Sequence, residues 1–341
     1  MKKRCWGIIS TGRIASIFAG QLSGSKSGTL SAVASRSEEK AGEFAGKYGA
    51  DRWYGSYEDL LRDPGVEVVY IATPHPMHAK WAIRAARAGK HILCEKPLTM
   101  NAGEAENVIG EARKNGVFLM EAFHYRCHPQ TKKLIEILKE GMIGEVLMIQ
   151  ASFSFRMEYD LSHRALNRSL GGGGILDVGC YPMSLVRLVA GVAKGGDFIE
   201  PVDVKGCAFI GKESRVDEYA AACLEFPGGI IAQISCGCRL EQENTAVIYG
   251  SEGKILIPKP WVVSIEGGTS TIIVERYDQD NPREIMVEAE RGLFAIEADT
   301  AGEFIPQRQS SFPAMSWEDS LGNMRALDLW RRSIGLSYDM D

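Results

Sequence analysis

Gly7-Ile8-Ile9-Ser10-Thr11-Gly12-Arg13-Ile14-Ala15 carries a short apolar run into a helical pattern, and the fold follows from how that passage is read. The pattern Gly-x-Gly-x-x-Gly/Ala lets backbone approach a pyrophosphate at a helix N-terminus, where unpaired amides meet the charge. Ser10 stands at the first glycine position, with Gly12 and Ala15 at the other two. Taken alone this is a degraded match, and a plain strand-to-helix turn would satisfy it. Its surroundings favour the nucleotide. Apolar runs at Cys5–Ile9, Leu30–Ala34, Val66–Ala72, His91–Cys94 and Val117–Ala122 alternate with helical stretches at Ile14–Ser23, Glu38–Tyr48, Met77–Ala88 and Ala102–Lys114. A further short helix lies between Ser56, as its N-cap, and Pro64. Strands separated by helices of this length pair in parallel, because a parallel crossover needs that much chain. Residues 1–123 are therefore predicted as a doubly wound parallel sheet of the Rossmann type, with Ser10, Thr11, Gly12, Arg13 and Ile14 at the nucleotide phosphates.

Beyond residue 124 the pattern changes. A helix at Thr131–Glu140 and a strand at Glu145–Phe155 lead to the glycine run Gly171–Gly174 and a helix over Leu176–Ala190. Strands then follow one another at Val202–Ile210, Asp217–Phe226, Gly229–Cys238, Thr245–Tyr249 and Lys254–Ile257, with turn chemistry at Phe226-Pro227-Gly228-Gly229 and Gly250-Ser251-Glu252-Gly253. Residues 124–341 are predicted as an α+β domain with a large, mostly antiparallel sheet and a closing helix at about 318–334.

Composition narrows the partners. The 341 residues are 45% hydrophobic and 24% charged, too apolar for a disordered chain and long enough for two domains. A net charge of −5 with no basic stripe argues against nucleic acid. No apolar stretch reads as the ~20 residues of a bilayer crossing, so no membrane is expected. The basic start Met1-Lys2-Lys3-Arg4 precedes an apolar run too short for a secretory signal. The eight cysteines fall mostly inside apolar runs, and Cys236 and Cys238 lack CxxC spacing. They read as structural cysteines of a reducing cytoplasm rather than a metal or disulfide framework.

The chemistry gathers at the C-terminal ends of the predicted parallel strands. The second ends in Ala34-Ser35-Arg36-Ser37, where an NAD site would carry an acid for the ribose 2′-OH. Ser35 and Arg36, with Lys40 one turn on, favour a 2′-phosphate instead, hence NADP over NAD. The third leaves through Ala72-Thr73-Pro74-His75-Pro76-Met77-His78, placing Thr73, Pro74, His75 and His78 toward the nucleotide or at a helix start. With no carboxylate or thiol beside the two histidines, no metal is expected. The next ends in Cys94-Glu95-Lys96-Pro97, a charged pair that is costly after a buried strand unless both groups find partners. Lys96 can there reach a substrate hydroxyl beside a nicotinamide.

These residues resemble the Gfo/Idh/MocA oxidoreductases, most closely the branch of dihydrodiol and NADP-dependent D-xylose dehydrogenases. The resemblance rests on Trp6-Gly7-Ile8-Ile9-Ser10 with Gly12, Tyr54-Gly55-Ser56-Tyr57-Glu58, Cys94-Glu95-Lys96-Pro97, Leu119-Met120-Glu121-Ala122 and Gly172-Gly173-Gly174-Ile175-Leu176-Asp177-Val178-Gly179-Cys180-Tyr181. It runs in order over residues 4–255. It implies hydride transfer between a nicotinamide and a sugar or cyclic polyol, catalysed by Lys96, Asp177 and Tyr181, with Glu95, Lys96, Glu121 and Arg164 at the cofactor. It also implies a cis Lys96-Pro97 bond and a homodimer or homotetramer built through the second sheet. Most of the family carries histidine where Tyr181 stands. A free phenol, with a pKa of about 10, is a poor base at neutrality, and an adjacent ammonium would lower it. Asp177 and Tyr181, spaced i,i+4, share one helix face. Phe155 and Arg156 read as cleft lining or plain sheet edge, and His124 and His128, at the domain junction, are given no ligand role. The rival readings are a nucleotide-binding regulator without catalysis, and a redox-neutral enzyme with a tightly held cofactor.

Overall fold

Arg4–Ile9 (β1), Gly28–Ala34 (β2), Arg52–Tyr54 (β3), Val68–Ile71 (β4), His91–Glu95 (β5) and Leu119–Ala122 (β6) pair in the order β3-β2-β1-β4-β5-β6, every pair parallel. The computed structural model describes residues 3–263 and 265–341; Met1 and Lys2 of the basic start, and Ser264, lie outside the described residues. Helices Arg13–Leu22 (α1), Glu38–Tyr48 (α2), Tyr57–Arg62 (α3), His78–Arg87 (α4) and Ala102–Lys114 (α5) fill the crossovers. Ser37, Ser56 and Asn101 cap α2, α3 and α5 by accepting the amides of Lys40, Asp59 and Glu104. All four residues of β4 are buried, as coverage on both faces requires. Chain order reverses between β1 and β4, and the crevice above that switch point is where such sheets bind ligands.

Short helices His124–Cys127 (α6) and Pro129–Lys139 (α7) lead to Val146–Ser154 (β7) and then to Cys180–Ala193 (α8). Strands Asp203–Ile210 (β8), Asp217–Glu225 (β9), Ile231–Gly237 (β10), Ala246–Gly250 (β11), Gly253–Ile257 (β12), Gly268–Arg276 (β13) and Arg283–Ala289 (β14) complete an eight-stranded sheet ordered β14-β13-β12-β11-β7-β10-β9-β8. It is antiparallel except for β7 against β10. Helix α8 packs on β7 on one side and on α7 and the closing helix Trp317–Ser333 (α10) on the other. It is buried from Cys180 through Val192, which explains its apolar sequence all round. The stretch Arg168–Ala193 corrects one expectation. By length and composition it could cross a bilayer, yet its most apolar 18 residues are all buried inside the fold.

Five strands and α-helices were not foreseen: β3, α6, β13, β14 and the helix Leu293–Phe304 (α9). Helix α9 packs on α1, and α10 packs on α5 and β6. The Leu119 amide of edge strand β6 donates to the Arg308 carbonyl at 3.2 Å. The end of the chain thus returns across the first sheet and protects its edge.

Candidate active site

The site begins where β5 leaves the first sheet. Glu95 is buried; its Oε1 accepts the Tyr70 hydroxyl of β4, and its Oε2 accepts the Lys96 amide at 3.3 Å. Burial raises the Glu95 carboxyl, against the pull of Lys96. The Lys96-Pro97 bond is cis, as expected. Two buried side chains clamp the turn that follows. Glu121 Oε1 accepts the Leu98 amide at 2.7 Å, while His78 Nδ1 lies 2.8 Å from the Pro97 carbonyl and Nε2 2.8 Å from that of Thr73.

Held in this way, Lys96 reaches into the second half of the chain. Its Nζ donates to the Asp177 carbonyl at 2.5 Å and lies 3.5 Å from Asp177 Oδ1. That carbonyl also accepts the Cys180 thiol at 3.8 Å, and the local backbone leaves it room for Lys96. Residues Ile175–Gly179 form a π-helical turn at the head of α8, where donors stand five residues ahead, and five residues beyond Asp177 is Pro182, which has no N–H. Arg164 also donates to Asp177, at 3.0 Å to Oδ1 and 3.1 Å to Oδ2. Burial alone would push the Asp177 carboxyl up, but Arg164, and then Lys96, hold it well below the usual carboxylate range.

Tyr181 stands one turn on. Its ring is boxed by Phe123 and Phe153, each 5.1 Å away between centroids, with Tyr125 at 5.8 Å and Trp261 at 5.9 Å. Lys96 Nζ lies 5.1 Å from the ring centroid, and the hydroxyl is 3.1 Å from His124 Nε2. Burial, and then the nearby Glu95, raise the phenol well above its ordinary value. The expectation that Lys96 would lower it is overturned, because the ammonium is turned to Asp177 and the phenol has carboxyl neighbours. Burial also pushes His124 down to about 3, so its imidazole is neutral.

At the predicted nucleotide loop Ser10 has φ 96°, the left-handed region that the replaced glycine would occupy freely. Its Oγ accepts the Gly12 amide at 3.3 Å. Helix α1 starts at Arg13 with Gly12 as N-cap and no side-chain cap, which leaves amides for a phosphate beside the partly exposed Thr11 and Ile14. At the end of β2, Arg36 and Lys40 are exposed and Ser35 is buried. Thr73 Oγ1 is buried with no partner, and Pro74 is half-buried beside it. His75 is buried with Nδ1 3.1 Å from the Gly171 carbonyl. This loop, the unpaired threonine hydroxyl and the open guanidinium suit a phosphorylated dinucleotide.

His78, Glu95 and Glu121, expected at the cofactor, are buried and make the backbone and hydroxyl contacts named above. Arg164, also expected at the cofactor, bonds Asp177 through Nη2 alone and is exposed. Phe155 is half-buried and Arg156 exposed, and Phe153, two residues earlier on β7, is the ring that meets Tyr181. Sequence reading gave His124 no ligand role and passed over Phe123, Phe153 and Trp261. For Phe123 and His124 a signal existed, since both directly follow a parallel strand at the edge where ligands collect. Among the described residues, no three His, Cys, Asp or Glu side chains are grouped to hold a metal ion.

Two family models match this chain. One, for an oxidoreductase family with an NAD-binding Rossmann fold, covers residues 4–123, and the GFO/IDH/MocA C-terminal domain covers residues 131–256. The chain belongs to the Gfo/Idh/MocA oxidoreductases. Within that family it is 33% identical to trans-1,2-dihydrobenzene-1,2-diol dehydrogenase of Mus musculus over 98% of each chain. It is 36% identical to the Homo sapiens enzyme of the same name over 75% of this chain and 74% of that one. Among solved structures, KijD10, a 3-ketoreductase from Actinomadura kijaniata in complex with NADP and TDP-benzene, superposes with a TM-score of 0.85 at 27% identity, covering 98% of both chains. The aldose-aldose oxidoreductase of Caulobacter crescentus, complexed with glycerol, gives 0.85 at 25% identity over 97% of both.

Proposed function

We propose that this protein is an NADP-dependent dehydrogenase or reductase acting on a CH–OH group, or its ketone, in a sugar or cyclic polyol. The observation that carries the reading is the meeting of Lys96 with Asp177 and Tyr181, drawn from the two halves of the chain to one spot above the parallel sheet. The names of the relatives and of the NADP-bound neighbour support it. NADP, when bound, supplies the hydride for reduction and accepts it in oxidation. Arg36 and Lys40 would hold its 2′-phosphate, and the amides at the start of α1 its pyrophosphate.

The protein's own part is orientation and proton handling. Lys96, with its charge balanced by Asp177, polarises the substrate oxygen. Tyr181, a phenol kept protonated by burial and 3.1 Å from the neutral His124 Nε2, donates to that oxygen as negative charge develops on it. Arg164 and the Asp177 carbonyl fix where Lys96 points. The aromatic box keeps the phenol in one rotamer and excludes water.

The test is a panel of aldoses, inosose-like ketones and cyclic diols followed at the nicotinamide absorbance with each coenzyme. Turnover is expected with NADP(H), and Arg36→Asp is expected to shift preference toward NAD(H). No oxidation or reduction of any of them would sink the reading in favour of a regulator. The aldose-aldose neighbour supports a second reading, a redox-neutral enzyme. Protein purified with dinucleotide attached, and turning over two sugars without net coenzyme change, would favour it.

We also propose that copies of the chain, in the cytoplasm, associate through the second sheet. Its face away from α8 exposes Phe209, Tyr219 and Ile231 around a shallow cavity of about 410 Å³. Sedimentation velocity should show a dimer or tetramer that Tyr219→Glu dissociates; a monomeric wild-type protein removes the proposal.

A further inference from the structure

A carboxyl group outside the constellation above anchors the turn on which it is built. Asp217 opens β9 and is fully buried. Its Oδ2 accepts the Ile175 amide at 2.6 Å, at the first residue of the π-helical turn that carries Asp177. Gly174, the residue before that turn, offers no side-chain cap, so Asp217 does from another element what a capping residue does locally. The approach is close because the glycine run permits it. At Gly173, φ is +112°, and a Cβ would lie 2.1 Å from Asp217 Oδ1.

We propose that Asp217 is a positioning residue for the reaction: its carboxylate pins the amide end of the turn and so holds the Asp177 carbonyl and carboxylate against Lys96, with Tyr181 one turn beyond. The inference rests on the proposed function for its activity readout but not for its structural one. The lever is short, since Ile175 and Asp177 are two residues apart in one turn. Lys96 binds the main chain of that turn, so any shift of the backbone moves the ammonium with it.

The titratable and charged groups facing Asp217 are Arg331 of α10, Tyr338 of the C-terminal segment, and Cys236 and Cys238 at the end of β10. Its neighbour Glu218 is turned instead to Ser214 and Arg239. Burial pushes Asp217 up to about 7, with the Ile175 amide opposing. Above neutrality the anchor is therefore a carboxylate with a charge-assisted bond, and below it a carboxylic acid with a weaker one. Loosening of the turn on acidification is the consequence, because Asp217 stays buried in β9 when the turn opens and gives up only the Ile175 amide.

Asp217→Asn keeps the shape and removes the titration. In the full-length protein with NADPH, wild-type kcat for ketone reduction is expected to fall about five- to tenfold from pH ~8 to pH ~6, with KM little changed. The Asn variant is expected to stay near the lower level throughout, with NADPH affinity intact. An Asn variant that keeps the acid limb, or a wild-type profile flat over that range, overturns the proposal. Hydrogen exchange on the wild-type protein decides it without any substrate or variant. After correction for intrinsic rates, the Ile175–Gly179 amides should lose about tenfold protection between pH ~8 and ~6. Unchanged protection there overturns the proposal, whatever the enzyme turns over.

Discussion

Lys96 is the residue on which the proposed chemistry converges, and its surroundings say what its removal should do. Its ammonium meets a carbonyl, a carboxylate and an aromatic face, so it contributes charge at a fixed point rather than packing. Lys96→Met keeps the stem and deletes the charge. Turnover should drop by roughly 10²–10⁴, with NADPH affinity by titration calorimetry within about threefold of wild type; near-normal turnover would take Lys96 out of the mechanism. Tyr181 makes a prediction of direction. Its raised pKa means the phenol keeps its proton through and beyond pH ~10, so an acid is present and a base is scarce. Reduction should therefore show no alkaline loss below pH ~10, while oxidation should gain rate as pH rises. Profiles measured in both directions check this, and an alkaline fall in reduction below pH ~9 would contradict it. His124 shows where sequence stops at this scale. Its partner lies 57 residues away, and only the folded chain brings a neutral imidazole to the phenol.

At the scale of elements, periodicity sufficed wherever an element buried one stripe or both faces. Helices α2 and α5 begin and end at the residues the pattern marks, and β4 reads as the continuous apolar run of a strand covered on both sides. It failed where local signals were missing. Helix α9 has Gly292 as N-cap with no side-chain bond and no basic residue in its last turn, so Pro306, two residues past its end, is its one boundary signal. β14 alternates between exposed and half-buried positions at a sheet edge and carries little apolar contrast. The π-helical turn was hidden inside what reads as one helix from Leu176, with Pro182 as its only sign. This turn yields the element-scale prediction. Gly173→Ala would demand a left-handed φ and drive a methyl group into the Asp217 carboxyl, so it should destabilise the fold by about 3 kcal/mol or more. Urea unfolding with a midpoint close to wild type would show that the glycine run has slack.

For the molecule as a whole, the two-sheet architecture was legible because each sheet follows from its own stretch of chain. The return of α9 and α10 across the first sheet was not, since it depends on contacts between distant parts. Those layers bury titratable groups, and the balance among them sets a pH optimum for stability. Burial is the leading cause in five of the six histidines: His75 lies well below its ordinary value, His78, His91 and His128 are pushed down to about 4, and His124 to about 3. A histidine with a depressed folded pKa takes its proton only on unfolding. Its contribution is present above pH ~6.5 and is lost as pH falls toward ~4. Buried carboxyls act oppositely. Glu121 and Asp217 are pushed up to about 7 and Glu297 is raised further, so they bind protons in the folded state and favour it as pH falls through neutrality. Above pH ~6.5 only the carboxyls change, and stability should rise slightly on acidification. Below it the five depressed histidines outweigh the raised carboxyls, Glu95 among them, and stability should fall. Urea midpoints taken from pH ~7.5 to ~5 should therefore peak near pH ~6.5 and decline on the acid side. A midpoint that kept rising down to pH ~5 would mean that the buried imidazoles are charged in the folded protein, His124 beside Tyr181 among them, and the neutral acceptor assigned to the phenol would fall with it.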